Sequence, residues 1–123
     1  AVKGRQVAHP LPNGNVLIDD SYNANPGSLA AAIGTLTQRA GGADRGEAWL
    51  VLGDMRELGE GGPALHAEAG RQARAAGLAR VWTVGELAAE TARAFGDGAR
   101  HFESREALAV ALREALAQAS NVR

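Results

Sequence analysis

The sequence predicts an α/β fold: an open, mostly parallel sheet with helices on both faces, entered through an antiparallel hairpin. Three observations carry this. Largely apolar runs recur at Val16-Leu17-Ile18, Trp49-Leu50-Val51-Leu52 and Val81-Trp82-Thr83-Val84, as in strands buried on both faces. Stretches of helical period separate them, as βαβ crossovers require. Glycines end those stretches at Gly41-Gly42, Gly77, Gly96 and Gly98, where a left-handed or unconstrained residue terminates a helix most readily.

Taken in order, Gln6–His9 and Asn15–Asp19 flank the turn signal Pro12-Asn13-Gly14 and form the opening hairpin. Asn25-Pro26 starts the first helix, with Asn25 at the N-cap and Pro26 at the first helical position. Leu29, Ile33 and Leu36 share one face of it, beside Ala32 and Ala40. Residues 43–47 are a polar loop before the strand at 49–52. Residues 53–62 are glycine-rich and acidic and read as a loop. Pro63 opens a second helix, whose inward stripe is Leu65, Ala69, Ala73 and Ala76. The strand at 81–84 leads to a third helix over Glu86–Phe95. His101-Phe102 is a short strand, and Ser104 caps a last helix with Leu108, Leu112 and Leu116 inward. Leu50, Val51, Val81 and Val84 are expected in the core.

At 123 residues, 46% of them hydrophobic, the chain fits one domain with a core of its own. Aromatics are only 4%, which leaves most packing to Ala, Leu and Val. A formal net charge of -1 gives no general drive toward nucleic acid or an anionic membrane. The absence of cysteine excludes disulfides, thiolate metal sites and cysteine nucleophiles. No run approaches the roughly 18 apolar residues that span a bilayer, and the first residues lack the apolar centre of a signal peptide. The expected location is the cytoplasm, with neither nucleic acid nor membrane as partner.

Ligands of open α/β sheets bind beyond the carboxyl ends of the strands. Two loops there carry chemistry. The first, Asp19–Ser28, holds two carboxylates, a phenol, two carboxamides and a hydroxyl before a helix start. A carboxylate at a strand end can accept two hydrogen bonds from ribose hydroxyls, a tyrosine offers a flat face to a base, and amides suit an adenine edge. Each residue has a plainer role as well. Asn25 is favoured as an N-cap, Ser28 can satisfy an amide of the first turn, Tyr22 can pack half-buried, and one of Asp19 and Asp20 is simply solvated.

The second loop, Gly53–Gly62, runs into Gly59-Glu60-Gly61-Gly62-Pro63-Ala64, formally G-x-G-x-x-A, with Glu86 further on. It is read as a plain loop. A dinucleotide fingerprint starts at the strand end, and Pro63 lacks the amide that would face a pyrophosphate. A receiver domain is suggested by Asp19, Asp20 and Asp54 but needs a late lysine, and Lys3 is the only lysine. His66, one turn into the second helix, is favoured as a satisfied structural histidine, and His9 and His101 more so. No histidine–carboxylate spacing suggests a metal site, no Ser-His-Asp order is present, and there is no G-x-x-x-x-G-K-[ST] phosphate loop.

Tyr22-Asn23-Ala24-Asn25-Pro26 followed by an Ala-rich helix, Leu52–Gly59 reading L-G-D-M-R-E-L-G, His66 in the next helix and an opening Gly4-Arg5 together resemble the C-terminal domain of the Mur ligases. The branch resembled adds D-alanyl-D-alanine. The resemblance runs from about Gly4 to the last helix and implies a Rossmann-like fold. It implies one domain, residues 1–123, of a three-domain amide ligase of peptidoglycan synthesis. An N-terminal domain would hold the UDP-sugar peptide. A central domain would carry the phosphate loop and magnesium. This domain would close over ATP and help bind the acceptor. By position, Asp20 is implied as the ribose acid, with Tyr22, Asn23 and Asn25 as nucleotide neighbours. Arg5 is implied as a catalytic phosphate contact, and Asp54, Met55 and Glu57 as the acceptor side. The family continues past Asn121-Val122-Arg123 into a final strand and a K-G-S-R-like loop, so either the chain is cut there or this end diverges, and the isolated domain is expected to be inactive. Two other readings stand beside this one: a stand-alone nucleotide-binding or interaction domain of the same fold, and a folyl-polyglutamate-type ligase domain.

Overall fold

The computed structural model describes residues 7–10, 16–20, 25–40 and 48–121. Its elements are β1 (Val7–Pro10), β2 (Val16–Asp20), α1 (Pro26–Ala40), β3 (Ala48–Leu52), α2 (Gly62–Ala75), β4 (Arg80–Val84), α3 (Ala88–Phe95), β5 (Ala99–Phe102) and α4 (Arg105–Asn121). A single turn of 3-10 helix, Gly59–Gly61, leads into α2. The five strands form one sheet in the order β1-β2-β3-β4-β5. β1 runs antiparallel to β2, with Val7 opposite Asp19 and Pro10 opposite Val16. The turn signal Pro12-Asn13-Gly14 lies outside the described residues. The remaining pairings, β2 with β3, β3 with β4 and β4 with β5, are all parallel.

Side chains alternate across a strand, and both faces of this sheet are covered. Ala48, Leu50, Leu52 and Val81 pack on Leu29, Ala32 and Ile33 of α1, Ala69 and Ala73 of α2, and Phe95 of α3. The opposite face, formed by Leu17, Trp49, Val51, Trp82, Val84 and Phe102, packs on Leu108 of α4, with Leu112 and Leu116 beside it. Three helices on one face of strands in chain order mean that the three crossovers share one hand, as the twist of parallel strands favours. The four valines and leucines expected inside, Leu50, Val51, Val81 and Val84, are all buried. Each contributes roughly 1.5–3 kcal/mol by leaving water.

The few aromatics carry more of the packing than their number suggests. Trp49 and Trp82 stack at 6.5 Å between centroids, and Phe102 continues the row at 5.5 Å from Trp82. The Arg80 guanidinium lies 4.5 Å from the Trp49 ring, and that of Arg100 lies 4.7 Å from Phe102. These arginines cover ring faces with their charge while remaining within reach of water.

The inward stripe of α2 holds at Ala69 and Ala73, with Ala76 packed beside them, and departs from the expectation at Leu65. Leu65 is 38% exposed, and its place is taken by His66, which is fully buried. The buried positions are Gly62, His66, Ala69, Gly70 and Ala73, a face of small residues plus one ring. The reason is the close approach of α3. A Cβ on Gly70 would collide with the Thr91 carbonyl oxygen and meet the Ala94 methyl at 3.0 Å. The imidazole at 66 has hydrogen-bond partners on that face, the Met55 amide and the Gly62 carbonyl oxygen. The third helix also begins later than expected, at Ala88. Gly85, at φ +111°, turns the chain before it.

Candidate functional site

The carboxyl edge of the sheet gathers the two loops expected to carry chemistry. Asp20 is the last residue of β2 and pairs in register with Leu52, the last residue of β3. The segments after them therefore leave the sheet from adjacent strand ends, the position where open α/β sheets hold ligands. Tyr22 and Asn23 lie outside the described residues, as does Arg5. Asn25 is the N-cap of α1: its Oδ1 accepts the Ser28 amide at 2.8 Å, while the Asn25 amide donates to Ser28 Oγ at 3.3 Å. This reciprocal cap stabilises a helix start by about 1 kcal/mol. It occupies one acceptor site of the Asn25 carboxamide oxygen and leaves the amino group for other partners.

The loop after β3 is pinned from two sides. Asp54, half-buried, accepts the Ala88 amide on Oδ1 at 2.7 Å. It caps α3 from a distant part of the chain, against the favourable dipole of that helix end. Gly85 is where it is because any Cβ there would strike this carboxylate. The Met55 amide donates to His66 Nε2 at 2.9 Å, and His66 Nδ1 lies 2.7 Å from the Gly62 carbonyl oxygen. A backbone amide can only donate and a carbonyl can only accept. The ring is therefore the neutral tautomer with its proton on Nδ1. Thr91 Oγ1 in turn donates to the His66 carbonyl at 2.7 Å, which ties α3 to the same residue. The expectation of a structural His66 holds, and its partner is the motif loop itself.

Of the three residues assigned by position to the acceptor side, Met55 is the one in the core. Its side chain is fully buried in the core beneath the loop and anchors the loop there. Asp54 is engaged with α3. Arg56 and Glu57 are exposed, and neither makes an ion pair or side-chain hydrogen bond among the described residues. With Asp54, Met55, Leu58, Gly59 and Leu87 they line an open groove of about 510 Å³. Glu57 has φ +65° and is the one residue besides glycine with a positive φ among those described. That conformation costs a side-chain-bearing residue about 1–2 kcal/mol.

Sequence reasoning named Asp54 and Glu57 but missed Arg56, Leu58 and Leu87, which share the groove. Leu87 comes from the β4–α3 turn, and nothing local to it signals a place beside a loop some thirty residues earlier. Among the described residues no three His, Asp or Glu side chains are grouped to hold a metal ion, and no helix is long and apolar enough to cross a membrane.

Residues 5–122 match the family model described as Mur ligase, glutamate ligase domain. The chain is 40% identical over 118 residues to the UDP-N-acetylmuramoyl-tripeptide–D-alanyl-D-alanine ligase of Escherichia coli, an alignment covering 96% of this chain and 25% of that protein. It is 42% identical over 92 residues to the ligase of the same name from Bacillus subtilis, covering 74% of this chain and 19% of that one. A solved structure of MurF from Acinetobacter baumannii superposes with a TM-score of 0.69 at 28% identity, covering 96% of this chain and 24% of that one. The chain thus spans about a quarter of the length of the E. coli relative.

Proposed function

Because the chain belongs to the Mur ligase family, we propose that it is the C-terminal domain of an ATP-dependent UDP-N-acetylmuramoyl-tripeptide–D-alanyl-D-alanine ligase. The observation that carries this reading is the 40% identity, over 96% of the chain, to a protein of that name. Both loops at the carboxyl edge lie within the aligned stretch. The reaction is amide-bond formation in peptidoglycan synthesis, in the cytoplasm where ATP is available. ATP supplies the phosphoryl group that turns the tripeptide's terminal carboxylate into an acyl phosphate. That conversion replaces a poor leaving group with a good one before the dipeptide amine attacks.

On this reading the chain's residues bind, orient and exclude water. Asp20, at the carboxyl end of β2, fits a ribose, since a strand-end carboxylate can accept two hydroxyl hydrogen bonds. Tyr22, Asn23 and the amino group of Asn25 lie next to it in sequence and take the nucleotide side. Arg5 steadies developing charge on phosphate, for which a planar guanidinium is suited. Magnesium and the phosphate-cradling loop belong to the central domain of the longer polypeptide, and the UDP-sugar peptide to its N-terminal domain. Closing this domain over ATP protects the acyl phosphate from water. The Asp54–Glu57 loop, held by α2 and α3, forms the acceptor side, with Asp54 setting its shape and Glu57 at its surface.

The test uses the polypeptide that carries this chain at its C-terminus, with magnesium and ATP. ADP release should require both UDP-N-acetylmuramoyl-tripeptide and D-alanyl-D-alanine. Steady release that ignores the dipeptide, or that needs glutamate in its place, would refute the assignment.

A further inference from the structure

We propose that Glu57 selects the acceptor by holding its ammonium group, an assignment that rests on the ligase reading and adds a residue-level role to it. Every other described residue with a positive φ is a glycine: Gly59, Gly77, Gly85, Gly96 and Gly98. Glycine meets that conformation without steric cost, and the chain uses it freely elsewhere. A glutamate at φ +65° is thus a side chain kept against a backbone penalty. Among the described residues the Glu57 carboxylate makes no ion pair or hydrogen bond that would offset the penalty. Strain of this kind persists where surrounding structure over-determines it. Here the determinants are visible: His66 on the Met55 amide, Asp54 on the Ala88 amide, and the Met55 side chain sunk in the core.

The groove around Glu57 matches the acceptor group by group. Its lining offers two carboxylates, one guanidinium and two leucines. Asp54 commits Oδ1 to α3, whereas the Glu57 carboxylate is exposed and unbonded among the described residues, so Glu57 is the freer of the two to meet a cation. Arg56 beside it offers the complementary charge for the dipeptide's own carboxylate. Leu58 and Leu87 supply apolar surface for two methyl groups. A small zwitterion with two methyls uses each of these features, and a uniformly charged or purely apolar ligand wastes some of them.

The experiment compares Glu57→Gln and Glu57→Gly with wild type in the intact ligase. Both variants should raise the Michaelis constant for D-alanyl-D-alanine by roughly tenfold or more, with those for ATP and the UDP-sugar peptide within about twofold, as loss of a charge-assisted hydrogen bond predicts. Glu57→Gly should at the same time melt at or above the wild-type temperature, because it removes the backbone penalty. A merely structural glutamate gives the opposite pattern, with the glycine variant melting lower. That result overturns the proposal, as does an acceptor constant unchanged in both variants. Should wild type itself release ADP without regard to the dipeptide, the ligase reading fails and this assignment falls with it. An active, dipeptide-dependent wild type with indifferent variants refutes the role of Glu57 alone.

Discussion

Replacing His66 with leucine tests whether the imidazole holds the motif loop. Leucine is of similar size and apolar, so the cavity term is small, and the change isolates the hydrogen bonds. The Met55 amide loses its 2.9 Å acceptor in a fully buried position. An orphaned buried donor costs about 1–3 kcal/mol. The Gly62 carbonyl loses a 2.7 Å partner, but it opens a helix and keeps the amide four residues on, so its share is smaller. About 2 kcal/mol of local stability should go, which is roughly a thirtyfold faster opening. Amide hydrogen exchange followed by mass spectrometry reads this directly in peptides spanning residues 53–58. The acceleration should be confined to that loop and the start of α2, with β3 and α1 little changed. His66→Gln, whose side-chain oxygen can accept the Met55 amide, should restore part of the protection. Unchanged exchange in the leucine variant, or an even loss of protection over the whole domain, would refute the clamp.

Three further outcomes follow from the same geometry. Gly70→Ala should destabilise the domain by about 1 kcal/mol, since a clash against the α3 backbone costs roughly 1–3 kcal/mol and better helix propensity returns up to about 1; a higher melting temperature for this variant would show that α2 and α3 separate freely. Asp20→Ala in the intact ligase should raise the Michaelis constant for ATP by roughly ten- to a hundredfold, the equivalent of about 1.5–3 kcal/mol for bonds to a charged group; early melting with normal ATP use would make Asp20 structural. The chain by itself should hydrolyse no ATP, because in-line phosphoryl transfer needs a phosphate cradle and a metal; steady hydrolysis insensitive to Asp20→Ala and Arg5→Ala would contradict its reading as one part of a larger enzyme.

Local signals in the sequence were enough where the chemistry is local. Apolar runs placed the buried strands, and the Asn25-Pro26 pair and Ser104 placed two helix starts, each with the cap bond now seen. Where a distant partner decides, sequence reasoning lost its hold. Leucine is apolar and reads as inward at 65, yet the inward place belongs to His66, whose partners are the distant Met55 amide and the Gly62 carbonyl. The sequence places the start of α3 at Glu86, but the helix begins at Ala88, whose amide is capped by Asp54 across the fold. Met55 looked like a loop residue from its glycine-rich, acidic surroundings and is core. The left-handed Glu57 carries no sequence signal at all, since the residues that announce a positive φ are glycine and asparagine.

Following an oxygen atom tests whether the tripeptide carboxylate is phosphorylated before the amine attacks. The intact ligase is given UDP-N-acetylmuramoyl-tripeptide labelled with ¹⁸O in its terminal carboxylate, together with ATP, magnesium and D-alanyl-D-alanine. If the carboxylate is phosphorylated and the dipeptide amine then displaces phosphate, one labelled oxygen leaves with each phosphate released. The prediction is labelled inorganic phosphate in step with ligated product, and none of it when the dipeptide is withheld. Unlabelled phosphate released in step with ligated product would contradict it.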